Sequence, residues 1–335
     1  MLKEIEIQNF RCFEQVKISG FERVNLIGGK NNAGKTALLE AIFLNVVPDP
    51  STLAMLRVLR REPSQAIEAM PDRAWDNLFY ALKKDKIIAI IGKDDNNNTD
   101  KVEIQVEINS FKYSIIIEFM RNEDKSTWLS TTVPARRLMS YEIYTPDEVP
   151  IIPSFINISG IELTAAYDSA RLDDKDSEVL KAFQILDPAI ESVESFSIGE
   201  PTLYLRRKGE KRLPLSLFGD AMNRVAHIML KLVINKHKIL LVDEIENGIH
   251  HTSQREFWRV LFRLAVELDT QIFATTHSLE MLQAFADVGL EQNQECSSAY
   301  FELARKLKKN QIIGSRLDLE TLSYAIEHQE GVRGE

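Results

Sequence analysis

The 335-residue sequence has few cysteines and no long apolar run. Its two cysteines, Cys12 and Cys296, lie far apart in the sequence with no second metal ligand near either, so neither a disulfide framework nor a structural zinc site is indicated. No apolar run approaches the ~18 residues of a membrane span. Residues 1–7 alternate apolar and charged side chains, unlike a signal peptide. We therefore expect a protein of the reducing cytoplasm with no membrane contact.

A surplus of positive charge is also missing, since the net charge is −9. Any contact with nucleic acid must therefore come from a local patch or from a partner protein. For the basic turn at residues 206–212, two interpretations remain open: contact with a phosphate backbone or an acidic partner, or charge that serves solubility alone. The basic residues concerned are Arg206, Arg207, Lys208 and Lys211. The hydrophobic content of 44% and the length are typical of one large globular domain or two lobes.

Residues 29–36, GKNNAGKT, fit the pattern of a phosphate-binding loop. Residues 24–28 predict a buried strand before the loop, and residues 36–43 predict an apolar helix after it. Glycines in this setting let successive backbone N–H groups face an anion at the helix N-terminus. Lys35 would reach the β- and γ-phosphates, and the Thr36 hydroxyl would hold magnesium. The predicted nucleotide-binding residues are Gly29, Asn31, Asn32, Ala33, Gly34, Lys35, Thr36 and Ala37.

Two further apolar runs end in polar side chains. Residues 238–244, KILLVDE, predict a buried parallel strand that delivers two carboxylates, so Asp243 would hold the metal and Glu244 would polarise the attacking water. An acidic surface turn is the alternative. Residues 271–278, QIFATTHS, repeat the arrangement, and His277 would bond the γ-phosphate or the water. A structural histidine is the alternative there.

A serine and a glycine precede a strongly amphipathic helical segment. Ser216 and Gly219 stand at its start and predict a second anion site at a helix N-terminus. Because the chain already has one phosphate loop, a second such site suggests completion by another subunit. Arg11, between two aromatic residues, either meets the nucleotide or is simply solvated at a strand end.

With these pieces in order, the chain resembles the ABC-type ATPase head shared by RecF, the SMC proteins and the OLD (overcoming lysogenization defect) family. It resembles in particular the compact AAA ATPases of bacterial phage-defence and abortive-infection loci. The resemblance rests on NFRCF at residues 9–13, the loop at 29–36, LSLFGD at 215–220, DEIENGIH at 243–250 and ATTHS at 274–278.

The resemblance implies an α/β fold, an ABC-ATPase head with a central mixed or parallel sheet, an N-terminal antiparallel β lobe and a helical signature lobe. One two-lobed head would comprise residues 1–160 with the phosphate loop, 161–235 with the signature segment, and 236–335 with the two strands carrying Asp243 and His277. It further implies that ATP and Mg²⁺ are bound. Ser216 and Gly219 would contact the γ-phosphate of the opposite protomer in a head-to-tail dimer, with residues 246–250 along the interface.

Some features depart from the family. Ala221 stands where a glycine is more frequent, and the glutamine that senses magnesium in many relatives has no evident counterpart. The middle of the chain lacks sustained heptads, so we expect no long coiled coil. The residues after His277 are too few for the Toprim nuclease domain of OLD proteins, so we expect any nuclease or toxin to be a separate polypeptide.

Three functions are compatible with these observations. The first is an ATPase that dimerises around ATP and acts as sensor or scaffold for a separately encoded effector in phage defence. The second is a RecF-like DNA-repair ATPase that binds DNA. The third is a module that binds ATP without hydrolysing it.

Outside these motifs, the spacing of apolar residues predicts strands and a helix in some segments and no regular structure in another. Strands are expected at residues 2–8, 13–18, 86–91, 102–108, 111–119, 196–198 and 202–206, and a helix at 172–186, whereas residues 121–154 are expected to be irregular. Asp94, Asp95 and Asp100 flank a polar loop that lacks the glycine and glutamate of an EF-hand, so a solvent loop is preferred over a calcium site.

Overall fold

A computed structural model describes residues 1–62, 73, 75–109, 112–121, 124–134, 149–154, 160–235, 237–292, 295–306 and 311–328. Within these residues the chain forms two six-stranded sheets, a three-stranded sheet and helices that separate or cover them. Three hydrophobic clusters hold these layers together.

The central sheet has the strand order β15-β14-β3-β13-β12-β8. All its neighbouring pairs are parallel except β14 and β15. Every residue of β3 and β13 is buried, as expected for strands covered on both faces. The strands are β3 (Val24–Gly28), β8 (Ile151–Ile152), β12 (Ile239–Val242), β13 (Gln271–Thr275), β14 (Ser298–Lys306) and β15 (Gln311–Leu317).

Alternate residues of the central strands enter two different cores, because successive side chains of a strand point to opposite faces. Leu241 and Phe273 pack with helix α1 (Lys35–Val46) and the antiparallel sheet. Leu240 and Ile272 pack on the other face, in a cluster with residues of helices α5 (Asp220–Ile234), α6 (Gln254–Glu267), α7 (Leu279–Glu291) and α8 (Leu319–Glu327).

The N-terminal lobe is an antiparallel sheet with the order β2-β1-β4-β5-β6-β7. In β2, Phe13, Val16 and Ile18 are buried while Glu14 and Lys17 are exposed, which is the alternation of a sheet with one face on the core. Helix α2 (Pro50–Leu59) follows α1 on the core side. The strands are β1 (Leu2–Phe10), β2 (Phe13–Ser19), β4 (Ile88–Asp94), β5 (Thr99–Asn109), β6 (Lys112–Arg121) and β7 (Asp124–Pro134).

A third cluster joins helices α3 (Gly160–Leu172) and α4 (Asp176–Leu186) to one side of α5 and to a small antiparallel sheet. That sheet contains β9 (Ile190–Phe196), β10 (Thr202–Arg207) and β11 (Leu213–Pro214). Helix α5 therefore belongs to two cores, one in the signature lobe and one on the central sheet. Short 3₁₀ turns lie at Asp76–Leu78, Tyr80–Leu82, Leu215–Phe218 and His251–Ser253.

Several boundaries differ from the predictions. The helix predicted at residues 172–186 begins at Asp176, because the chain turns between Leu172, where α3 ends, and Lys175. The strand predicted at 196–198 is instead Ile190–Phe196. The expectation of irregular structure at 121–154 is wrong for β7 and β8, while residues 135–148 lie outside the described part.

The acidic β4–β5 loop has a structural explanation. The Asp94 carboxylate accepts backbone N–H bonds of 2.8 Å from Asn96 and from Asn98 and so closes the turn. Asp95 pairs with the N-terminal amine at 3.2 Å, and Asp100 pairs with Arg121 at 2.9 Å. The three carboxylates thus serve different partners.

No helix in the described segments combines the length and the apolar character needed to cross a bilayer.

Candidate nucleotide-binding site

The residues predicted to bind and hydrolyse the nucleotide lie at the carboxyl ends of three adjacent strands. The phosphate loop follows β3, Asp243 and Glu244 follow β12, and His277 comes shortly after β13. Parallel strands bring such ends to one edge of the sheet, where α/β proteins bind ligands. A cleft of about 810 Å³ opens there, lined by residues 31–37, Arg11, Cys12, Arg60, Glu62, Asn77, Glu244, His277 and Arg305.

At two positions of the phosphate loop, steric constraints require glycine. Gly29 has φ 133°, and an added Cβ would lie 2.2 Å from the carbonyl oxygen of Leu303. Gly34 has φ 97°, and its Cβ would lie 2.9 Å from Cys12 Sγ. Both the left-handed backbone and the close neighbours exclude a side chain.

Lys35 is folded back onto the loop. Its Nζ donates hydrogen bonds of 2.7 Å to Gly29 O and 3.0 Å to Lys30 O, and it lies 3.3 Å from His277 Nδ1. Lys35 is 5% exposed, and burial lowers its pKa to about 8 although nearby carboxylates oppose the shift. The ammonium is therefore a buried cation whose loop carbonyls could be exchanged for phosphate oxygens.

Thr36 and Asp243 form a pair suited to a hard cation. Thr36 Oγ1 lies 3.2 Å from Oδ1 and 3.1 Å from Oδ2 of Asp243, and Thr275 Oγ1 donates a 2.7 Å bond to Oδ1. Burial raises the pKa of the Asp243 carboxyl. A bound Mg²⁺ would relieve that cost, because carboxylate and hydroxyl oxygens are its preferred ligands. Both side chains therefore fit the metal.

Glu244 faces the cleft from a strained position. Its φ is 48°, and its backbone N–H donates a 2.8 Å bond to Thr275 Oγ1. The side chain is 37% exposed, and Oε2 accepts a 2.9 Å bond from Asn247 Nδ2. Asn247 also donates to Ser154 O at 3.2 Å, so it fixes the orientation of the carboxylate. Asn247 was not predicted as a site residue, although it lies within the DEIENGIH run.

His277 lies between Lys35 and Glu244. Because an ammonium can only donate, His277 Nδ1 accepts from Lys35 and the ring proton is assigned to Nε2, which lies 3.9 Å from Glu244 Oε1. The backbone N–H of His277 donates a 2.7 Å bond to Glu246 Oε1. Burial and the Lys35 charge lower the pKa of His277, so the ring is neutral at pH 7.

Arg11 lines the cleft, as does Arg60, which was not predicted. Both guanidinium groups donate to the carboxylate of Glu40, a buried residue of α1. Arg11 also donates a 3.1 Å bond to Asn77 O. These contacts join residues 20 or more positions apart, so no local motif indicates them.

Ser216 and Gly219 do not line this cleft; both are exposed. Gly219 is the N-cap of α5 with φ 87°, and a Cβ there would meet nothing within 4 Å, so glycine is required by its backbone conformation alone. The same helix reaches the site through Arg224, which donates a 2.8 Å bond to the backbone oxygen of Asp243. The residues of the predicted second anion site thus lie outside the cleft, while their helix contacts the backbone of Asp243 through Arg224.

The basic turn lies in the signature lobe, and its arginines have acidic neighbours. Arg206 lies 3.7 Å from Glu191, and Arg207 lies 2.5 Å from Asp187. Lys208 and Lys211 are exposed. Local ion pairs therefore neutralise much of the charge of this turn.

The comparisons with known proteins agree with this architecture. The chain is 25% identical to an ATP/GTP phosphatase of Helicobacter pylori over 386 aligned positions, covering both chains completely. It is 24% identical over 199 residues to a DNA double-strand break repair Rad50 ATPase of Pyrococcus abyssi, covering 58% of this chain and 19% of that one.

Solved SMC heads share the fold. The SMC head bound to the C-winged helix domain of ScpA has a TM-score of 0.54 at 12% identity and covers 96% of this chain and 99% of that one. The SMC head with an extended coiled coil bound to the C-terminal domain of ScpA, derived from Pyrococcus furiosus, has a TM-score of 0.52 at 12% identity and covers 98% and 99%.

The family profile described as AAA ATPase domain matches residues 1–150 and 156–282, which is most of the chain. The protein therefore belongs to the AAA ATPase domain family, and it is an ATPase with an SMC-like head fold.

Proposed function

We propose that this ATPase closes around ATP and Mg²⁺ into a head-to-tail dimer and acts as a nucleotide-gated sensor or scaffold for a separately encoded effector in cytoplasmic anti-phage defence. One observation carries the dimer. The groups for phosphate, metal and water converge in one cleft, while the anion-binding helix start at Ser216 and Gly219 is exposed and outside it. A second copy is the partner that would use that helix start.

The residues of the cleft have distinct parts in hydrolysis. Lys35 would exchange the loop carbonyls for the β- and γ-phosphates, and Thr36 and Asp243 would hold Mg²⁺, which would supply neutralisation of phosphate charge. Glu244, oriented by Asn247, accepts a hydrogen bond from the attacking water. The neutral ring of His277 donates from Nε2 to the γ-phosphate or to that water.

The dimer proposal gives the signature segment its function. Ser216 and the backbone N–H groups after Gly219 would bind the γ-phosphate held by the opposite copy, because a helix N-terminus favours negative charge. Leu217 is 67% exposed beside them, which an interface would cover. Hydrolysis and loss of the γ-phosphate would loosen the two copies. The effector and the defence role rest on the family resemblance alone.

A Glu244→Gln variant tests the enzyme and the dimer together. It should bind ATP with magnesium, hydrolyse it about 10²- to 10⁴-fold more slowly, and accumulate as a dimer on size exclusion with light scattering. Ser216→Arg in the same background should bind ATP but remain monomeric. A Glu244→Gln protein that stays monomeric with saturating ATP would contradict the dimer. Copurification with products of adjacent genes tests the effector.

A second candidate is a RecF-like ATPase that binds DNA, which the basic turn favours. The ion pairs of Arg206 and Arg207 leave Lys208 and Lys211 as the better candidates for a phosphate backbone. DNA should then stimulate hydrolysis with a steep salt dependence, and Lys208→Gln with Lys211→Gln should remove the stimulation. The third alternative, binding without hydrolysis, is not supported, since the chain belongs to an ATPase family.

A further inference from the structure

Two arginines from different parts of the chain share one buried carboxylate beside the cleft. Glu40 has a fully buried side chain, 0% exposed, on helix α1. Arg11, from the turn between β1 and β2, donates from Nε to Glu40 Oε2 at 3.0 Å. Arg60, at the end of α2, donates from Nε to Oε1 at 2.6 Å and from Nη2 to Oε2 at 3.1 Å. The carboxylate therefore fixes both guanidinium groups.

The cluster carries more positive charge than its own acids require. Arg57 lies 3.0 Å from Glu62, while Arg11 lies 4.0 Å from the same carboxylate. Together with Arg60 and Glu40, these residues form a group of three arginines and two glutamates. One positive charge therefore has no matching carboxylate within the group. A buried carboxylate needs one cation to be stable, so a second arginine on Glu40 calls for another explanation.

The orientation of Arg60 supplies that explanation. Its side chain is 36% exposed and lines the same cleft as the phosphate loop. The two bonds to Glu40 hold one edge of the planar guanidinium, so the group is pre-organised and loses little freedom on meeting a ligand. Arg11 also lines the cleft, and its Nη2 is buried without a hydrogen-bond partner. Arg60 thus presents a fixed and partly exposed guanidinium group to the cleft where we propose that a polyphosphate binds, and Arg11 has an unused buried donor next to it.

We propose that Arg60 binds the phosphate groups of the nucleotide and that Glu40 positions Arg60 and Arg11 as a pair for this purpose. The ligand class is a nucleoside polyphosphate, whose oxygens accept the paired N–H groups of a guanidinium. The inference rests on the proposed nucleotide site and not on the dimer or the effector. It adds a phosphate contact from the residue that caps the C-terminus of α2, a helix without any recognised motif.

Equilibrium binding of ATP without hydrolysis tests the proposal. In an Arg60→Gln variant the affinity for ATP, measured by calorimetry at low salt, should fall about tenfold or more, because a hydrogen bond to a charged group is lost. The salt dependence of the affinity should become shallower, since one screened charge is gone. Arg61→Gln, the exposed next residue, is the matched control and should bind ATP like the wild type.

A purely structural role of Arg60 predicts a different result. If Arg60 served only to neutralise Glu40, the double variant Glu40→Gln with Arg60→Gln would regain the affinity that Arg60→Gln lost. Under the proposal the double variant stays weak. A folded Arg60→Gln protein within twofold of wild-type affinity, or recovery in the double variant, overturns the inference.

Arg60→Lys serves if the glutamine variant fails to fold. It keeps a cation beside Glu40, but a single ammonium cannot hold two carboxylate oxygens and a phosphate with fixed geometry, so affinity should still fall several-fold. Wild-type affinity in this variant also overturns the proposal. Failure of the wild type itself to bind ATP would instead contradict the nucleotide site, so the two failures are distinguishable.

Discussion

Arg224 donates a hydrogen bond of 2.8 Å to the backbone carbonyl oxygen of Asp243. A second nitrogen of the same guanidinium donates to Pro153 O at 2.8 Å. Burial lowers the pKa of Arg224 to about 10, so the group stays charged at neutral pH. Because Gly219 caps the N-terminus of α5, Arg224 links the exposed helix start, where we predict anion binding, to the strand end that carries Asp243, the predicted metal ligand. In the proposed dimer, one protomer's contact with its partner's nucleotide would therefore bear on its own cleft.

Replacing Arg224 by methionine should remove the contact between helix α5 and the strand end at Asp243. Two buried carbonyl oxygens lose their donor, so we expect the free energy of unfolding to fall by about 2–4 kcal/mol and ATP hydrolysis to fall more than ATP affinity. Urea unfolding and steady-state kinetics measure both. The control is Lys231→Met on the same helix, whose Nζ donates to Val149 O at 3.4 Å, away from Asp243. Equal losses of hydrolysis in both variants would contradict the link.

Asn247→Ala should slow hydrolysis without weakening ATP binding. The amide donates to Glu244 Oε2 at 2.9 Å, so its loss frees a carboxylate that must be oriented toward water. We expect kcat to fall about tenfold with KM unchanged, since the contact affects chemistry and not ground-state binding. Asn247→Asp should be slower still, because two carboxylates would repel each other. An unchanged kcat in both variants would show that Asn247 only supports the loop at Ser154.

The sequence predicts features that depend on neighbouring residues better than contacts between residues far apart in the chain. The phosphate loop, Asp243, Glu244 and His277 lie in contiguous runs at strand ends, and an apolar run followed by polar residues is visible locally. Arg60 with Glu40 and Arg224 with Asp243 are pairs 20 and 19 residues apart, which only the packing of α1, α2 and α5 brings together. The predicted bounds of helices and strands were wrong where the local sequence pattern was weak, as at the start of α4 and in β9.

The stability of the fold should fall as the pH drops below about 6.5, chiefly because of His227. This residue is buried on α5 between Arg224 and Lys231, and burial together with these two cations lowers its pKa well below the usual value. A group with a depressed pKa in the folded state stabilises the fold above its unfolded pKa, and this contribution is lost as the pH falls.

The variant His227→Leu should flatten this dependence between pH 7 and pH 5, measured as urea midpoints at several pH values. His277 also has a lowered pKa, from burial and Lys35, but is more exposed, so His277→Gln should flatten it less. An unchanged pH slope in His227→Leu would assign the effect to other groups.

ATP affinity should decline at alkaline pH through Lys35. The pKa of its buried ammonium is about 8 in the free protein, so above pH 8 an increasing fraction carries no charge for the phosphates. Polyphosphate binding favours the charged form, and the complex must then take up a proton; affinity should fall by up to tenfold per pH unit above 8. Calorimetry at pH 9 in buffers of different ionisation enthalpy measures that uptake directly.

A Lys35→Met variant tests whether Lys35 is the titrating group. Its ATP binding should weaken by about 2 kcal/mol, roughly thirtyfold, and should no longer be accompanied by proton uptake. The variant Lys30→Met, at an exposed neighbouring residue of the loop, should keep the wild-type affinity and the proton uptake. Proton uptake that persists in Lys35→Met would place the titrating group elsewhere in the cleft.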